Sequence, residues 1–122
     1  MTDIEISIDI IHDLIISMDQ GMINPSDTYI INVFDTKDFN EMIEKINDNF
    51  NGTIEEIDVE YGEGYGILWI ENKYILICYS RRFNNSYSID IMGYNFRYEI
   101  DRYLNIGEIK MDEEPIGICE DN

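Results

Sequence analysis

The chain has 122 residues, of which 26 are Asp or Glu and 8 are Lys or Arg, so its formal net charge is −18 at pH 7. A surface this negative repels polyanions, which excludes binding of long nucleic acid by the whole protein. Because self-repulsion opposes compact folding, such an excess indicates a surface with a use, and the expected use is to bind a basic partner.

The composition is typical of a folded protein, since 44% of the residues are hydrophobic and 12% are aromatic. We expect one domain over residues 1–122.

The sequence shows no signal-peptide pattern and no apolar run of about 18 residues, which predicts neither secretion nor membrane insertion. Cys78 lies in an apolar run and Cys119 near the end, which favours a buried free thiol and a surface thiol over a disulfide. The expected location is the cytoplasm of a bacterial host cell.

The first predicted element is a helix that begins after Thr2. Thr2 and Glu5 fit a capping box, in which each side chain accepts a hydrogen bond from a backbone N–H of the first turn. Gly21 is a suitable end for this helix. Its apolar stripe comprises Ile4, Ile8, Ile11, Ile15 and Met18. The alternating isoleucines of residues 4–10 also fit a strand, so that alternative stays open.

A break over residues 24–27 precedes a short apolar run, residues 29–34, which predicts a buried strand. A second helix is predicted over about residues 37–50 and ends at Asn51-Gly52. Its apolar face consists of Phe39, Met42, Ile43, Ile46 and Phe50. The alternation of residues 53–61 then predicts a strand with one buried face.

The second half of the chain reads as a series of strands. A turn at residues 62–64 leads into two runs, 65–70 and 73–79, which are apolar on both faces and predict a central hairpin. Residues 87–92 predict one more strand. A short helix from Phe96 to Leu104, ending near Gly107, fits the following segment, although residues 97–103 equally fit an edge strand. The fold class is therefore α+β, with an antiparallel sheet of about five strands packed by two or three helices.

The strand over residues 53–61 carries the most regular arrangement of charge. Glu56, Asp58 and Glu60, which we call the acid ladder, alternate with apolar residues, and Tyr61 falls on the apolar side. Carboxylates two residues apart on a strand stand about 6.5–7 Å apart. Such a line of charge can imitate nucleic-acid phosphates, and we expect all three carboxylates to point to solvent. The further acidic residues expected in a partner-binding face are Glu63, Asp112, Glu113 and Glu114.

A second candidate site lies where every arginine of the chain is found, between residues 81 and 102. The candidate ligand-binding residues are Arg81, Arg82, Phe83, Arg97 and Arg102. Guanidinium groups interleaved with aromatic rings can hold phosphates and stack bases, which predicts a pocket for a nucleotide-like ligand. The competing interpretation is that these arginines neutralise nearby acids, for example Arg97 with Asp101 at helical i,i+4 spacing.

No catalytic motif accompanies these features. His12 lies between carboxylates on the polar side of its helix, and no second group is predicted to converge on it. Residues 47–58 resemble a calcium loop in the spacing of their oxygen-bearing side chains. The segment begins with Asn where such a loop has Asp, and it ends with Asp58 where a longer Glu is expected. A helix end followed by a strand is therefore the favoured interpretation. We therefore expect no enzyme, no metal and no cofactor.

In size and composition the chain resembles two groups of small acidic proteins. One group comprises phage-encoded inhibitors of bacterial defence, including anti-CRISPR and anti-restriction proteins, several of which are DNA mimics. The other comprises immunity proteins that neutralise basic nuclease toxins. The resemblance implies an inhibitor of a basic nucleic-acid-binding protein, or else an immunity protein. The arginine region leaves a third alternative, a small-molecule sponge that sequesters a nucleotide signal.

Overall fold

The computed structural model describes residues 2–21, 27–31, 36–82 and 86–112. Within these ranges, three helices and five strands follow one another along the chain. They are α1 (Asp3–Asp19), β1 (Asp27–Ile31), α2 (Thr36–Phe50), β2 (Thr53–Glu60), β3 (Glu63–Ile70), β4 (Lys73–Arg81), β5 (Tyr87–Tyr94) and α3 (Arg97–Asp112). The predicted α+β class, an antiparallel sheet packed by helices, is confirmed.

The strands form one antiparallel sheet in the order β1-β5-β4-β3-β2. Strands β2 to β5 follow one another as a meander, which leaves β2 as an edge strand. Because side chains alternate across a sheet, each strand contributes to two faces. One face packs against α1 and α2, and the other lies under α3.

Helix α1 begins with the predicted capping box. Thr2 Oγ1 accepts from the Glu5 backbone N–H at 3.1 Å, and Glu5 Oε1 accepts from the Thr2 N–H at 2.8 Å. The strand alternative for residues 4–10 is therefore wrong, because the cap satisfies backbone donors and the apolar stripe continues with a helical period. Where α1 crosses β5, a Cβ on Gly93 would come within 2.6 Å of Met18 Sδ, so the glycine permits close packing.

Helix α2 packs its apolar side against the same face of the sheet as α1. Phe39, Ile43 and Ile46 are fully buried, and the centre of the Phe39 ring lies 4.2 Å from the centre of the Tyr79 ring of β4. The helix ends at Phe50, and Asn51 then takes a left-handed φ of 53°. Strand β2 follows directly where a calcium loop would lead into a second helix, so the calcium-loop alternative is wrong.

Helix α3 is longer than predicted. It runs through Gly107 to Asp112, so both its expected end near Gly107 and the edge-strand alternative for residues 97–103 are wrong. A glycine inside a helix costs only about 1 kcal/mol relative to alanine, which does not stop a helix by itself. Ile100 of α3 is fully buried against Ile67 and Leu76, which form a small second core on this face.

Several expectations concern residues outside the described ranges. These are the break at residues 24–26, the end of the first predicted strand at residues 32–34, Phe83, Glu113, Glu114 and Cys119. None of the described helices combines the length and the apolar character that a membrane span needs.

Candidate functional site

The acid ladder lies on the face of the sheet that carries α3. In the β2–β3 register, Glu56 is opposite Ile67, Asp58 is opposite Tyr65 and Glu60 is opposite Glu63. The register shifts between Ile54 and Glu56, so the bulge falls at Glu55 and the ladder itself is regular. The predicted alternation is therefore present, and the three carboxylates share one face.

Glu56 differs from the other two carboxylates because it is bound within the protein. Arg97 Nη2 lies 2.8 Å from its Oε1, and the Tyr65 hydroxyl donates to its Oε2 at 2.8 Å. The expectation that all three ladder residues point to solvent is wrong for Glu56. The physical reason is that Arg97, in the first turn of α3, extends its guanidinium to Glu56 on β2.

Tyr65, on the neighbouring strand, is directly opposite Asp58, and its hydroxyl reaches Glu56. Burial raises the pKa of its phenol to about 12, with further contributions from the hydrogen bond to Glu56 and from the negative charges of Glu56 and Asp58. The hydroxyl therefore stays protonated at neutral pH. It acts as a fixed donor that holds the Glu56 carboxylate in place beside α3.

The next carboxylates, Asp58, Glu60 and Glu63, which we call the hairpin acids, are exposed. Glu60 and Glu63 are directly opposite each other across the β2–β3 hairpin, an arrangement that is destabilising for like charges. No ion pair to any of the three is found among the described residues. The hairpin acids are therefore three exposed carboxylates at one end of the sheet, and the Arg81 side chain packs against Gly62 of the same turn.

The hairpin turn itself is held in an unusual backbone conformation. Tyr61 and Gly62 have φ values of 53° and 84°, as a two-residue turn requires, and a tyrosine is a costly choice there. Tyr61 is 93% exposed, so its expected place on the apolar side of the strand is wrong. At Gly64, an added Cβ would press on the Asp58 carbonyl oxygen and approach Val59 Cα to 2.9 Å. The two strands are thus in close contact beside the acids.

An open cleft of about 570 Å³ lies between this hairpin and α3. Its lining combines carboxylates with aromatic and apolar groups: Asp58, Glu60, Tyr61, Glu63, Gly64, Tyr65, Cys78, Tyr79, Ser80, Asp90 and Leu104. Burial raises the pKa of the Cys78 thiol to about 12, and the nearby Asp90 charge adds to this. The thiol is therefore neutral, and it contributes an apolar wall rather than a nucleophile.

The structure does not gather the arginines into one pocket. Arg81 is opposite Tyr87 at one end of the paired strands β4 and β5. Helix α3, which carries Arg97 and Arg102, begins three residues after Tyr94, at the opposite end of this strand pair. Arg97 pairs with Asp101 as the competing interpretation predicted, and also with Glu56.

The remaining arginines are placed separately. Arg82 is exposed beyond the end of β4, and its backbone N–H donates to the Ser86 carbonyl at 2.7 Å. The Arg102 guanidinium lies 5.6 Å from the centre of the Tyr98 ring, a cation–π contact on the outside of α3. The four candidate ligand-binding arginines thus lie on two separate parts of the fold, with Arg81 and Arg82 at the end of β4 and with Arg97 and Arg102 on α3.

The other singled-out residues lie on helices. His12 is exposed on α1, with its ring 5.0 Å from the Phe50 ring. Asp112 is the last residue of α3. Among the residues that the structure describes, no group of three or more His, Cys, Asp or Glu side chains is arranged to hold a metal ion.

Sequence reasoning missed the cleft and the position of Tyr61. A signal for the turn was present, since Glu60 and Glu63 flank Tyr61-Gly62 symmetrically, as the two strands of a two-residue hairpin would.

Comparison with protein-family models, with curated proteins and with solved structures finds no match to this chain.

Proposed function

We propose that this protein is a non-enzymatic inhibitor, which binds a basic nucleic-acid-binding protein through the hairpin acids and blocks its nucleic-acid site. The observation that carries the proposal is the pair Glu60 and Glu63, placed directly opposite each other and exposed. Like charges in this position weaken the hairpin. A basic groove on a partner would convert that unfavourable arrangement into a favourable one.

Edge protection is a competing explanation for the charges of β2. Exposed edge strands carry charged residues that prevent pairing with other sheets, and β2 is such an edge. This explanation does not cover Glu63, because β3 pairs with strands on both sides and has no free edge. The acidic hairpin therefore has more charge than edge protection requires.

The sheet supports mimicry of a phosphate backbone in two ways. Asp58 and Glu60 stand about 6.5–7 Å apart on one rigid strand. The ion pair of Glu56 with Arg97 joins the same strand to the start of α3. A partner would thus meet a regular line of charge that needs little ordering on binding, which favours affinity. The proposed setting is the cytoplasm of a bacterial host, with a defence effector of the anti-CRISPR or anti-restriction target type as the partner.

The experiment that tests the proposal begins with capture of the partner from bacterial lysate on the immobilised protein. The captured protein is then purified, and its binding to labelled DNA or RNA is measured as this protein is added. We expect displacement of the nucleic acid at a one-to-one ratio. A captured protein that binds nucleic acid and this protein at the same time would overturn the proposal, and a captured secreted nuclease would identify the chain as an immunity protein.

Association should also depend on salt. The field of a protein with a net charge of −18 extends over a screening length of about 8–10 Å at ordinary ionic strength. The on-rate for a basic partner should therefore fall steeply between about 50 and 300 mM salt. An on-rate that does not change with salt would point to an apolar contact instead.

A further inference from the structure

The cleft between the β2–β3 hairpin and α3 leads to an inference that rests on the proposed function and specifies the chemistry of its partner. Its volume of about 570 Å³ falls within the range typical of ligand pockets, about 300–1,000 Å³. Four carboxylates line it, those of Asp58, Glu60, Glu63 and Asp90, together with the apolar side chain of Leu104 and the neutral thiol of Cys78. A long side chain with an apolar stem and a cationic end matches this division.

The protein already binds one guanidinium group on the same strand. Arg97 places its Nη2 2.8 Å from Glu56 Oε1, and the Tyr65 hydroxyl holds the other oxygen of that carboxylate at 2.8 Å. Asp58 is the next ladder residue, directly opposite Tyr65 and on the cleft side. Glu56 thus shows how a guanidinium binds to a carboxylate on this face of the sheet. The cleft offers a similar carboxylate, Asp58, two residues further along β2.

Two tyrosines favour arginine over lysine as the occupant. Tyr65 and Tyr61 both line the cleft, and Tyr61 is almost fully exposed at the turn. A planar guanidinium can stack on an aromatic ring while its N–H groups bond to carboxylates, whereas an ammonium group offers a compact point charge. The left-handed φ of Tyr61 is consistent with a residue kept for its contacts, since it is costly for the backbone.

We propose that this cleft receives an arginine side chain of the partner, with its guanidinium on Asp58 and Glu60 and its stem along Leu104. The wider acidic surface attracts the partner from a distance, and the cleft fixes its register through one residue. Specific contacts of this kind, in addition to charge, separate a true partner from other basic proteins.

The test uses three short capped peptides that are identical except for one central residue, which is arginine, lysine or citrulline. Each peptide is titrated into the ¹⁵N-labelled full-length protein at low ionic strength, and amide shifts are followed. We expect the arginine peptide to shift the amides of Tyr65, Ser80 and Leu104, and to bind about tenfold more tightly than the uncharged citrulline peptide. The lysine peptide should bind at an intermediate strength.

A pair of matched variants assigns the effect to the cleft. Asp58→Asn with Glu60→Gln removes two charges from the rim at nearly constant shape, and the arginine peptide should lose about tenfold in affinity. The control, Glu41→Gln with Glu44→Gln, removes two exposed charges from α2 on the other side of the sheet, and should change affinity less than about twofold. Shifts spread over α1 and α2, equal binding of arginine and citrulline peptides, or equal losses in the two variants would each overturn the proposal.

These results are separable from those of the proposed function. If the arginine peptide occupies the cleft while the captured partner keeps its nucleic acid, the inhibitor function fails and the arginine site stands. If the partner is displaced from nucleic acid but the arginine peptide does not select the cleft, the arginine site fails and the inhibitor function stands.

Discussion

Arg97 binds Glu56 from 41 residues further along the chain, with 2.8 Å between Nη2 and Oε1. This contact joins the start of α3 to the edge strand β2. Among the described residues, Glu56 is the only carboxylate of the acid ladder that forms an ion pair with an arginine. Both side chains are about one third exposed or more, so the pair is in the range of modest electrostatic energies. Its role is to position α3 above the sheet and so to form one wall of the cleft.

The first prediction concerns the energy of this contact. Glu56→Gln and Arg97→Gln, alone and together, should reveal a coupling free energy of about 1 kcal/mol in a double-mutant cycle by urea unfolding. The control cycle is Arg97 with Asp101, an i,i+4 helical pair for which about 0.3–0.5 kcal/mol is expected. Single-mutant effects that simply add in the Glu56 cycle would show that the contact does not hold α3 in place.

The second prediction concerns Tyr65 at alkaline pH. The folded protein keeps this phenol protonated up to a pKa of about 12, whereas an unfolded tyrosine ionises near about 10. Between these values the unfolded state binds fewer protons, so the free energy of unfolding should fall as pH rises from about 10 to 12. Ultraviolet titration of the wild type minus Tyr65→Phe should show one late-ionising tyrosine. A difference curve centred near pH 10 would contradict the burial of this phenol together with its hydrogen bond to Glu56.

The third prediction concerns the reactivity of Cys78. Because burial raises the pKa of its thiol to about 12, very little thiolate is present at neutral pH. In a Cys119→Ser variant, alkylation at pH 8 should be at least about tenfold slower in the folded protein than in urea. Rapid alkylation of the folded protein would mean that the cleft wall is more open, or more polar, than the structure shows.

The fourth prediction concerns the close contact of β2 and β3. In Gly64→Ala the new Cβ meets the Asp58 carbonyl and the Val59 backbone, which cannot move aside as a flexible side chain can. We expect a loss of about 3 kcal/mol in the free energy of unfolding, at the upper end of typical overpacking. Gly21→Ala is the comparison, because its φ is 77° but no atom lies within 4 Å of the new Cβ, and it should cost about 1 kcal/mol. Equal losses in the two variants would contradict this account.

Local patterns in the sequence were enough to predict most elements. The capping box at Thr2 and the apolar stripe after it fixed α1, and the alternation of β2 predicted that its carboxylates share a face. The contact between Glu56 and Arg97 was beyond such patterns, because it depends on which face α3 covers. The turn was misplaced because tyrosine rarely adopts the positive φ that Tyr61 takes. The cleft depends on both features and was therefore missed as well.

The central claim is that the hairpin acids form the contact with a basic partner, and one comparison of affinities tests it most directly. Asp58→Lys, Glu60→Lys and Glu63→Lys are combined in one variant, and Glu41→Lys, Glu44→Lys and Asp48→Lys, all exposed on α2, in another. Both variants change the net charge equally, so the loss of long-range attraction is matched, and unfolding curves check that both remain folded. Binding of the captured partner should weaken at least about a hundredfold in the hairpin variant and less than about tenfold in the α2 variant. Equal losses in the two variants would contradict the claim, because the partner would then respond to the overall charge of the protein and not to this site.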